Sequence, residues 1–306
     1  MNLEFLQVDA FSRRALFGNP AAVVFGADDA LPQVTMQRIA REMNLSETVF
    51  LFPPTSPAAD YRVRIFTPRS ELPFAGHPTL AAARAVQHRF PELRSALLLR
   101  QECGIGIVPV EVSGSGENVT YTMTQATPAH RPVDPGQQAI AEMLGCAAGQ
   151  LPPSPPEVVS TGVNWLIVEL DDFSTVASLR PDFGLISASC ASLGAVGMTV
   201  FARAGSFPGL RLKVRTFAPG EGVMEDPVCG SGNGSVAAYL ARHCYPEVDH
   251  ASYLAQQGRE IDRTGEVEVS WTRRDGEVAV KVGGATAISA SGEIFFDADP
   301  VQESST

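Results

Sequence analysis

A chain of 306 residues with 44% hydrophobic content can build one large core or two ordinary ones, and its length favours two domains of about 150 residues. The formal charge of -11 excludes an extended phosphate-reading surface or an anionic-membrane surface, because either needs an excess of Lys and Arg. No nucleic-acid or membrane partner is therefore expected, and any anion has to be bound locally.

The start, MNLEFLQVDAF, lacks the basic cluster and apolar run of a signal peptide, and no later segment reaches the roughly 20 apolar residues of a membrane span; a cytoplasmic location is expected. LEFLQVDAF, FGNP and AAVVF read as strand, turn and strand. A helix is predicted over about Leu31 to Met43, where VTMQRIAREM has helical spacing, followed by strands ETVFLF and DYRVRIFT. HPTLAAARAVQHRF predicts a helix with Pro78 in its first turn, where a missing N–H costs nothing. SALLLRQ, GIGIVPVEV and NVTYTMTQ read as antiparallel strands, with SGSGEN as a hairpin connection. The proline-rich ATPAHRPVDPGQQ is the candidate domain boundary. Beyond it, EVVST, NWLIVEL, GMTVFAR, LRLKVRTFA, ASYLAQQ, EVEVSWT, EVAVKVG and ATAISASGEIFF are predicted strands. Short helical stretches up to about Leu193 and one apolar helix, GSVAAYLARHC, interrupt them. Many short strands with one apolar helix per half imply an α+β protein in which a curved sheet wraps a helix.

The two halves echo each other. AGHPTLAAARAV from Ala75 matches SGNGSVAAYLAR from Ser231 at an offset of 156, with Gly on Gly, Thr on Ser, Leu on Val and Ala-Ala on Ala-Ala. An offset of 154 instead pairs Cys229-Gly230-Ser231 with Ala75-Gly76-His77. Duplication of about half the chain predicts two like domains facing each other.

Both helices of the echo open from glycine-containing turns, FAGHPT and CGSGNGS. A helix start has free N–H groups and a partial positive charge, so Gly76, Gly230 and Gly232 read either as seats for a substrate carboxylate or as glycines that let helices pack tightly. GSGNGS does not fit a nucleotide loop, since its spacing is G-x-G-x-G and no Lys follows. Glu47, in NLSETVFL, stands between a turn and an apolar strand, where partial burial raises a carboxyl pKa and suits it to proton transfer; the competing reading is a surface glutamate or a cap partner of Ser46. His77 reads as acid, base, hydrogen-bond donor or structural residue. Asp226, in MEDPVCGSG, reads as a group orienting a substrate amine or hydroxyl, or as a turn residue before Pro227. The five cysteines, Cys103, Cys146, Cys190, Cys229 and Cys244, are odd in number, lack C-x-x-C spacing and read as reduced thiols. Cys229, at a helix start, is expected to have a lowered thiol pKa and to be capable of acting as a base. A two-base racemase needs a matching group opposite, however, and the aligned residue is Ala75.

DAFSRRALFGNPAAVVF, MNLSETVFLFPP, RIFTPRSELPFAGHPTLAAA, RTFAPGEGVMEDPVCGSGNGSVAAYL and VKVGGATAISASGEIFF resemble, in order and across nearly the whole chain, the signatures of the PhzF-like proteins, the phenazine-biosynthesis isomerase family. The resemblance implies a diaminopimelate-epimerase-like fold of two similar domains, each a strongly curved, mostly antiparallel sheet around a central helix. The first would span residues 1–126, completed by a C-terminal strand at about 286–306, and the second residues 127–285. It further implies a homodimeric isomerase with no cofactor and no metal, acting on a small carboxylate substrate in the inter-domain cleft. In the phenazine enzyme that substrate is a dihydro-hydroxyanthranilate, and a glutamate moves a proton between ring carbons. The corresponding catalytic residues here are Glu47, His77, Asp226 and Ser231, with Asn19, Gly76, Cys229, Gly230 and Gly232 as substrate-binding residues. Two departures stand out. Where the family often has Gly-Arg-Pro-Ser, only Arg263 clearly matches, with Thr264 and Gly265 in place of Pro-Ser, and Cys229 fills a slot that is threonine in the phenazine enzyme and a catalytic cysteine in the epimerases. The alternatives are an epimerase or racemase using Cys229 against Glu47 or His77, and a binding protein that keeps the cleft without catalysis.

Overall fold

The computed structural model describes residues 1–297. Positions 298–306 of the expected C-terminal strand lie outside the described residues. The first half contains β1 (Asn2–Ala10), β2 (Asn19–Val24), α1 (Gln33–Met43), β3 (Glu47–Phe52), β4 (Tyr61–Phe66), β5 (Glu71–Leu72), α2 (Gly76–Arg89), β6 (Leu98–Cys103), β7 (Gly106–Ser113) and β8 (Thr120–Thr124). Then follow β9 (Ala129–Pro132), α3 (Gln137–Leu144), β10 (Glu157–Ser160), β11 (Asn164–Glu169), α4 (Phe173–Ser178), α5 (Phe183–Ser192), β12 (Gly197–Ala204) and β13 (Arg211–Ala218). β14 (Val223–Asp226), α6 (Gly230–Tyr239), β15 (His250–Gln257), β16 (Gly265–Arg274) and β17 (Glu277–Phe295) complete the chain.

The strands β1, β2, β3, β4, β6, β7, β8 and β17 pair in that order, and β17 returns to β1, so eight strands close a ring. The β2–β3 and β4–β6 pairs are parallel and the others antiparallel. Helix α2 packs against β1, β2, β3, β6, β8 and β17. With strands on so many sides it has no solvent face, which explains a run of alanines in place of an amphipathic pattern. The pairing order recurs later: β10–β11 antiparallel, β11–β12 parallel, β12–β13 antiparallel, β13–β15 parallel, β15–β16 and β16–β17 antiparallel. Helix α6 packs there on β10, β11, β12, β16 and β17.

Continuous apolar runs such as ETVFLF and NWLIVE arise because these strands are covered on both faces. Val49 and Leu51 join the cluster containing Leu80 of α2, while Phe50 and Phe52 face Met36 and Ile39 of α1. Trp165 and Ile167 point toward Val236 of α6, and Leu166 and Val168 toward Ile140, Val176 and Ile186 of α3, α4 and α5. One buried cluster runs from Val8 and Leu80 to Tyr239 and Trp271, joining both halves.

Three elements differ from their sequence-based expectations. EVAVKVG and ATAISASGEIFF are one strand, β17, not two. Gly283 and Gly284 do not break it; they let it pass between neighbours, since a Cβ on Gly283 would stand 2.3 Å from Thr122 Oγ1 and one on Gly284 2.9 Å from Phe11 Cδ1. The segment ATPAHRPVDPGQQ is not purely a connection, because it contains β9, an edge strand paired with β10, where prolines are tolerated. Helix α6 begins at Gly230 and not at Gly234, so the glycine-rich run is its first turns. No helix among the described residues is long and apolar enough to cross a membrane.

Candidate active site

Four element ends converge between α2 and α6. Asn19 opens β2, Glu47 opens β3 beside it in a parallel pair, His77 lies in the first turn of α2, and Asp226 closes β14 just before α6. Glu47 Oε2 is 3.2 Å from His77 Nε2. Asn19 Nδ2 donates to Asp226 Oδ1 at 2.9 Å and to the Val228 carbonyl at 3.0 Å, and lies 3.4 Å from His77 Nδ1. Asp226 Oδ1 also accepts from the Val228 N–H at 3.1 Å. Glu47 is therefore neither a surface residue nor a cap: its side chain is 16% exposed and faces the other polar groups.

Burial governs the protonation states. Desolvation, reinforced by the charge of Asp226, pushes the Glu47 carboxyl from 4.5 up to about 8. Desolvation also raises Asp226 from 3.8 to about 6, against hydrogen bonds from Cys229 and Val228 that favour its charged form. The same loss of solvent drives His77 from 6.5 down to about 3, with a backbone hydrogen bond to Pro20 opposing it. The short Glu47–His77 contact is thus a neutral carboxylic acid facing a neutral imidazole near pH 7. Glu47 Oε2, His77 Nε2 and Asn19 Oδ1 are all buried and none makes a well-aligned hydrogen bond. Each unmet group costs about 1–3 kcal/mol until a partner reaches it.

The α6 side is more fully satisfied. Cys229 Sγ accepts from the Gly232 N–H at 3.3 Å and sits 3.5 Å from Ser231 Oγ. Trp165 Nε1 donates to Ser231 Oγ at 3.0 Å. The lowered thiol pKa expected for Cys229 is not what its surroundings produce: burial and then the charge of Asp226 push it well above 9.0, outweighing the helix-start N–H. Gly76, Gly230 and Gly232 are closely packed. A Cβ would stand 2.9 Å from Met123 Cε at Gly76, 3.3 Å from Phe11 Cζ at Gly230 and 2.7 Å from Thr199 Oγ1 at Gly232. The Gly232 N–H, being held by Cys229, is not free for a substrate anion.

Two supports escaped sequence reasoning. Gln257 Oε1 accepts from the Cys229 N–H at 3.2 Å and from Asn233 Nδ2 at 2.9 Å, while its Nε2 donates to the Asp226 carbonyl at 3.0 Å. Its counterpart Gln101, 156 positions earlier, donates to Thr79 at 2.8 Å, so extending the helix echo would have found both. The altered Arg263 segment is the second support. Arg263 reaches Asp9 at 2.9 Å and the Gly18 carbonyl at 3.0 Å, and Gly18 N–H bonds to the Thr264 carbonyl at 3.1 Å. It thereby holds the loop that delivers Asn19, in which Phe11 and Leu16 have φ of 64° and 71°. Among the described residues no group of three or more His, Cys, Asp or Glu is placed to hold a metal ion.

Residues 8–292 match the family profile described as phenazine biosynthesis-like protein. The chain belongs to this family. The Antisense-enhancing sequence 1 protein of Schizosaccharomyces pombe is 36% identical over 297 residues, which cover 95% of this chain and 98% of the relative. The trans-2,3-dihydro-3-hydroxyanthranilate isomerase of Pseudomonas aeruginosa is 35% identical over 302 residues, 95% of this chain and 99% of that one. The crystal structure of the Bacillus anthracis phenazine biosynthesis protein, PhzF family, superposes with a TM-score of 0.88 at 25% identity, covering 97% of this chain and 100% of that chain. A hydroxyproline epimerase from Agrobacterium vitis shares the fold alone, with a TM-score of 0.62 at 14% identity over 96% of this chain and 91% of the other. The phenazine biosynthesis-like chain is thus an isomerase with the sheet-rich fold common to PhzF proteins and proline racemase-like enzymes.

Proposed function

We propose that this enzyme moves a proton between carbons of a small cyclic or amino-acid-like carboxylate, with Glu47 as general acid/base. The observation that carries the reading is a carboxyl held near pKa 8 whose buried Oε2 lacks a well-aligned hydrogen bond and stands 3.2 Å from the equally unmet His77 Nε2. A base with a raised pKa binds the abstracted proton more strongly, while a tenth or so of it remains ionised at pH 7. Ionised Glu47 takes a proton from a carbon next to unsaturation, the electron pair spreads into the π-system, and the neutral carboxyl returns the proton to another carbon of that system. Composition and charge are unchanged overall. Neutral His77 and Asn19 hydrogen-bond the substrate's polar substituents, and Asp226 holds Asn19 while supplying a second acceptor. Ser231, held by Trp165, and the start of α6 lie against the substrate's far side. The scheme is complete with protein groups alone.

The cleft in this reading separates two duplicated domains, residues 1–126 together with the strand from about 286, and residues 127–285, each wrapping its sheet on one helix, in a homodimer. The recurring pairing order supports the duplication. So do matching forks across the hairpins before each helix: Arg64 to Glu71 at 2.7 and 2.6 Å, and Arg215 to Glu225 at 2.9 and 2.7 Å. Cys229, raised in pKa and already bonded, lends no support to an epimerase.

The P. aeruginosa relative is named for trans-2,3-dihydro-3-hydroxyanthranilate, which makes that compound the first to test. Its double-bond shift, followed by absorbance, is expected with the native enzyme and lost in Glu47→Gln. Turnover by Glu47→Gln within threefold of the native rate would refute Glu47 as the acid/base. Deuterium uptake at the α-carbon of an amino acid, abolished by Cys229→Ser, would favour epimerisation instead. Tight binding without turnover of any tested carboxylate, indifferent to Glu47→Gln, would point to a binding protein.

A further inference from the structure

The recurring strand order gives Glu47 an equivalent position in the second half of the chain. Glu47 opens β3 and pairs with Ala21 of β2, while its neighbour Thr48 pairs with Phe66 of β4. In the corresponding strands Gly197 opens β12 and pairs with Trp165 of β11, while its neighbour Met198 pairs with Phe217 of β13. Phe66 and Phe217 correspond as well, each standing two residues after an arginine of the matching forks, Arg64 and Arg215. Gly197 therefore occupies the place of Glu47. No second carboxylate fits there, because a Cβ would lie 2.2 Å from the Phe217 carbonyl oxygen and 2.8 Å from Trp165 Cζ3.

The helix starts correspond too. α2 begins at Gly76 and α6 at Gly230, so His77 and Ser231 are each the second residue of their helix. Where Glu47 Oε2 meets His77 Nε2 at 3.2 Å in the first half, Trp165 Nε1 donates to Ser231 Oγ at 3.0 Å in the second. A carboxyl group can give or take a proton, whereas an indole N–H only donates a hydrogen bond. Ser231 is half-buried while Cys229, Gly230, Gly232 and Asn233 around it are buried, so its hydroxyl is the accessible group of this helix start. With the indole on Oγ, the single hydroxyl proton points away from Trp165. Its neighbour in the protein is Cys229 Sγ at 3.5 Å, a weak acceptor that already takes the Gly232 N–H at 3.3 Å. The Cys229 thiol in turn hydrogen-bonds Asp226. An obligate donor at one end and a carboxylate acceptor at the other make donation run one way, from Trp165 through Ser231 and Cys229 to Asp226.

We propose that Trp165 is a positioning residue of this enzyme: it stands in for a second acid/base at the place equivalent to Glu47 and fixes Ser231 as a hydrogen-bond donor to an oxygen of the substrate. This rests on the function and the duplicated layout proposed above. A substrate oxygen is a better acceptor than a thiol sulfur, so the Ser231 proton turns to it on binding. Proton transfer then belongs to one half of the repeated layout, and stabilisation of developing negative charge to the other.

Two measurements on the full chain test it. The chain has two tryptophans, so isotope-labelled tryptophan gives two indole N–H signals in magnetic resonance. Trp271, fully buried and donating to the Val248 carbonyl at 3.1 Å, reports whether a variant is folded. Ser231→Ala should move the Trp165 signal and leave that of Trp271, a comparison that removes no ring and stands even where Trp165→Phe does not fold. Calorimetry with 3-hydroxyanthranilate, the aromatic analogue of the dihydro acid, gives the second. Trp165→Phe should weaken binding roughly 3- to 10-fold, as for loss of one neutral hydrogen bond. In the Ser231→Ala background the same substitution should change affinity by less than twofold, because a residue that acts through Ser231 has nothing left to act on. Equal losses in both backgrounds would mark Trp165 as packing only and overturn the proposal. So would an unmoved Trp165 signal in Ser231→Ala, unchanged affinity in Trp165→Phe, or a native protein that does not bind the acid. The acid/base reading fails on a different measurement, turnover by Glu47→Gln, so either can fall without the other.

Discussion

Glu47→Gln is expected to stabilise the protein, and by an amount that depends on pH. The folded state raises the Glu47 pKa from 4.5 to about 8, so it keeps a proton that the unfolded chain releases. Below about pH 4.5 both states carry that proton and the buried carboxyl brings no ionisation penalty. Between pH 4.5 and 8 the unfolded chain ionises while the folded one does not, and stability falls by about 1.4 kcal/mol for each pH unit. Above pH 8 both are ionised and the loss is constant. At pH 7 the interval is about 2.5 units, worth about 3 kcal/mol, which Gln, of nearly the same shape and unable to ionise, recovers. Urea unfolding at pH 5, 7 and 8.5 measures this through midpoints at constant slope. The variant should gain under about 1 kcal/mol at pH 5, about 3 kcal/mol at pH 7 and about 4.5 kcal/mol at pH 8.5. A native-minus-variant difference that is the same at pH 5 and pH 7 would show that Glu47 is not held protonated by burial.

Two further outcomes follow from the same geometry. Asp226→Asn removes the charge that adds to the burial effect on Glu47, so the Glu47 limb of the pH profile of kcat/KM should move below 8 while staying well above 4.5, because burial is the larger cause; an unmoved limb refutes the coupling. Arg263→Ala leaves Asp9, fully buried, with only the Leu16 N–H at 2.6 Å among the described residues, and should cost about 3–5 kcal/mol in urea unfolding. Arg263→Lys should restore part of it, and a loss under 1 kcal/mol would show that the loop before Asn19 does not depend on this pair.

Much of the fold was legible in the chain itself. Alternation in LEFLQVDAF and helical spacing in VTMQRIAREM are relations between near neighbours, so they survive whatever the rest of the protein does. The offset of 156 between Ala75 and Ser231 carried further, since it places two equivalent helix starts and, extended, the pair Gln101 and Gln257. Glu47, His77, Asp226 and Asn19 were each visible as candidates, and they do meet.

What local pattern could not supply was what stands opposite. Gly283-Gly284 reads as a break in isolation, yet Thr122 and Phe11 approach so closely there that only glycine allows the strand through. Cys229 at a helix start reads as an activated thiol, but desolvation, which depends on every neighbour at once, reverses the sign. The sequence by itself determined the sheet-rich class of fold with few helices, because that follows from periodicity and spacing, while the candidate site residues came from residue type and the family resemblance. Only the tertiary structure decided which of those groups are left without partners and which way their protons move, because burial and charge proximity are sums over residues distant in the chain. Those sums raise Glu47 to about 8 and hold His77 neutral.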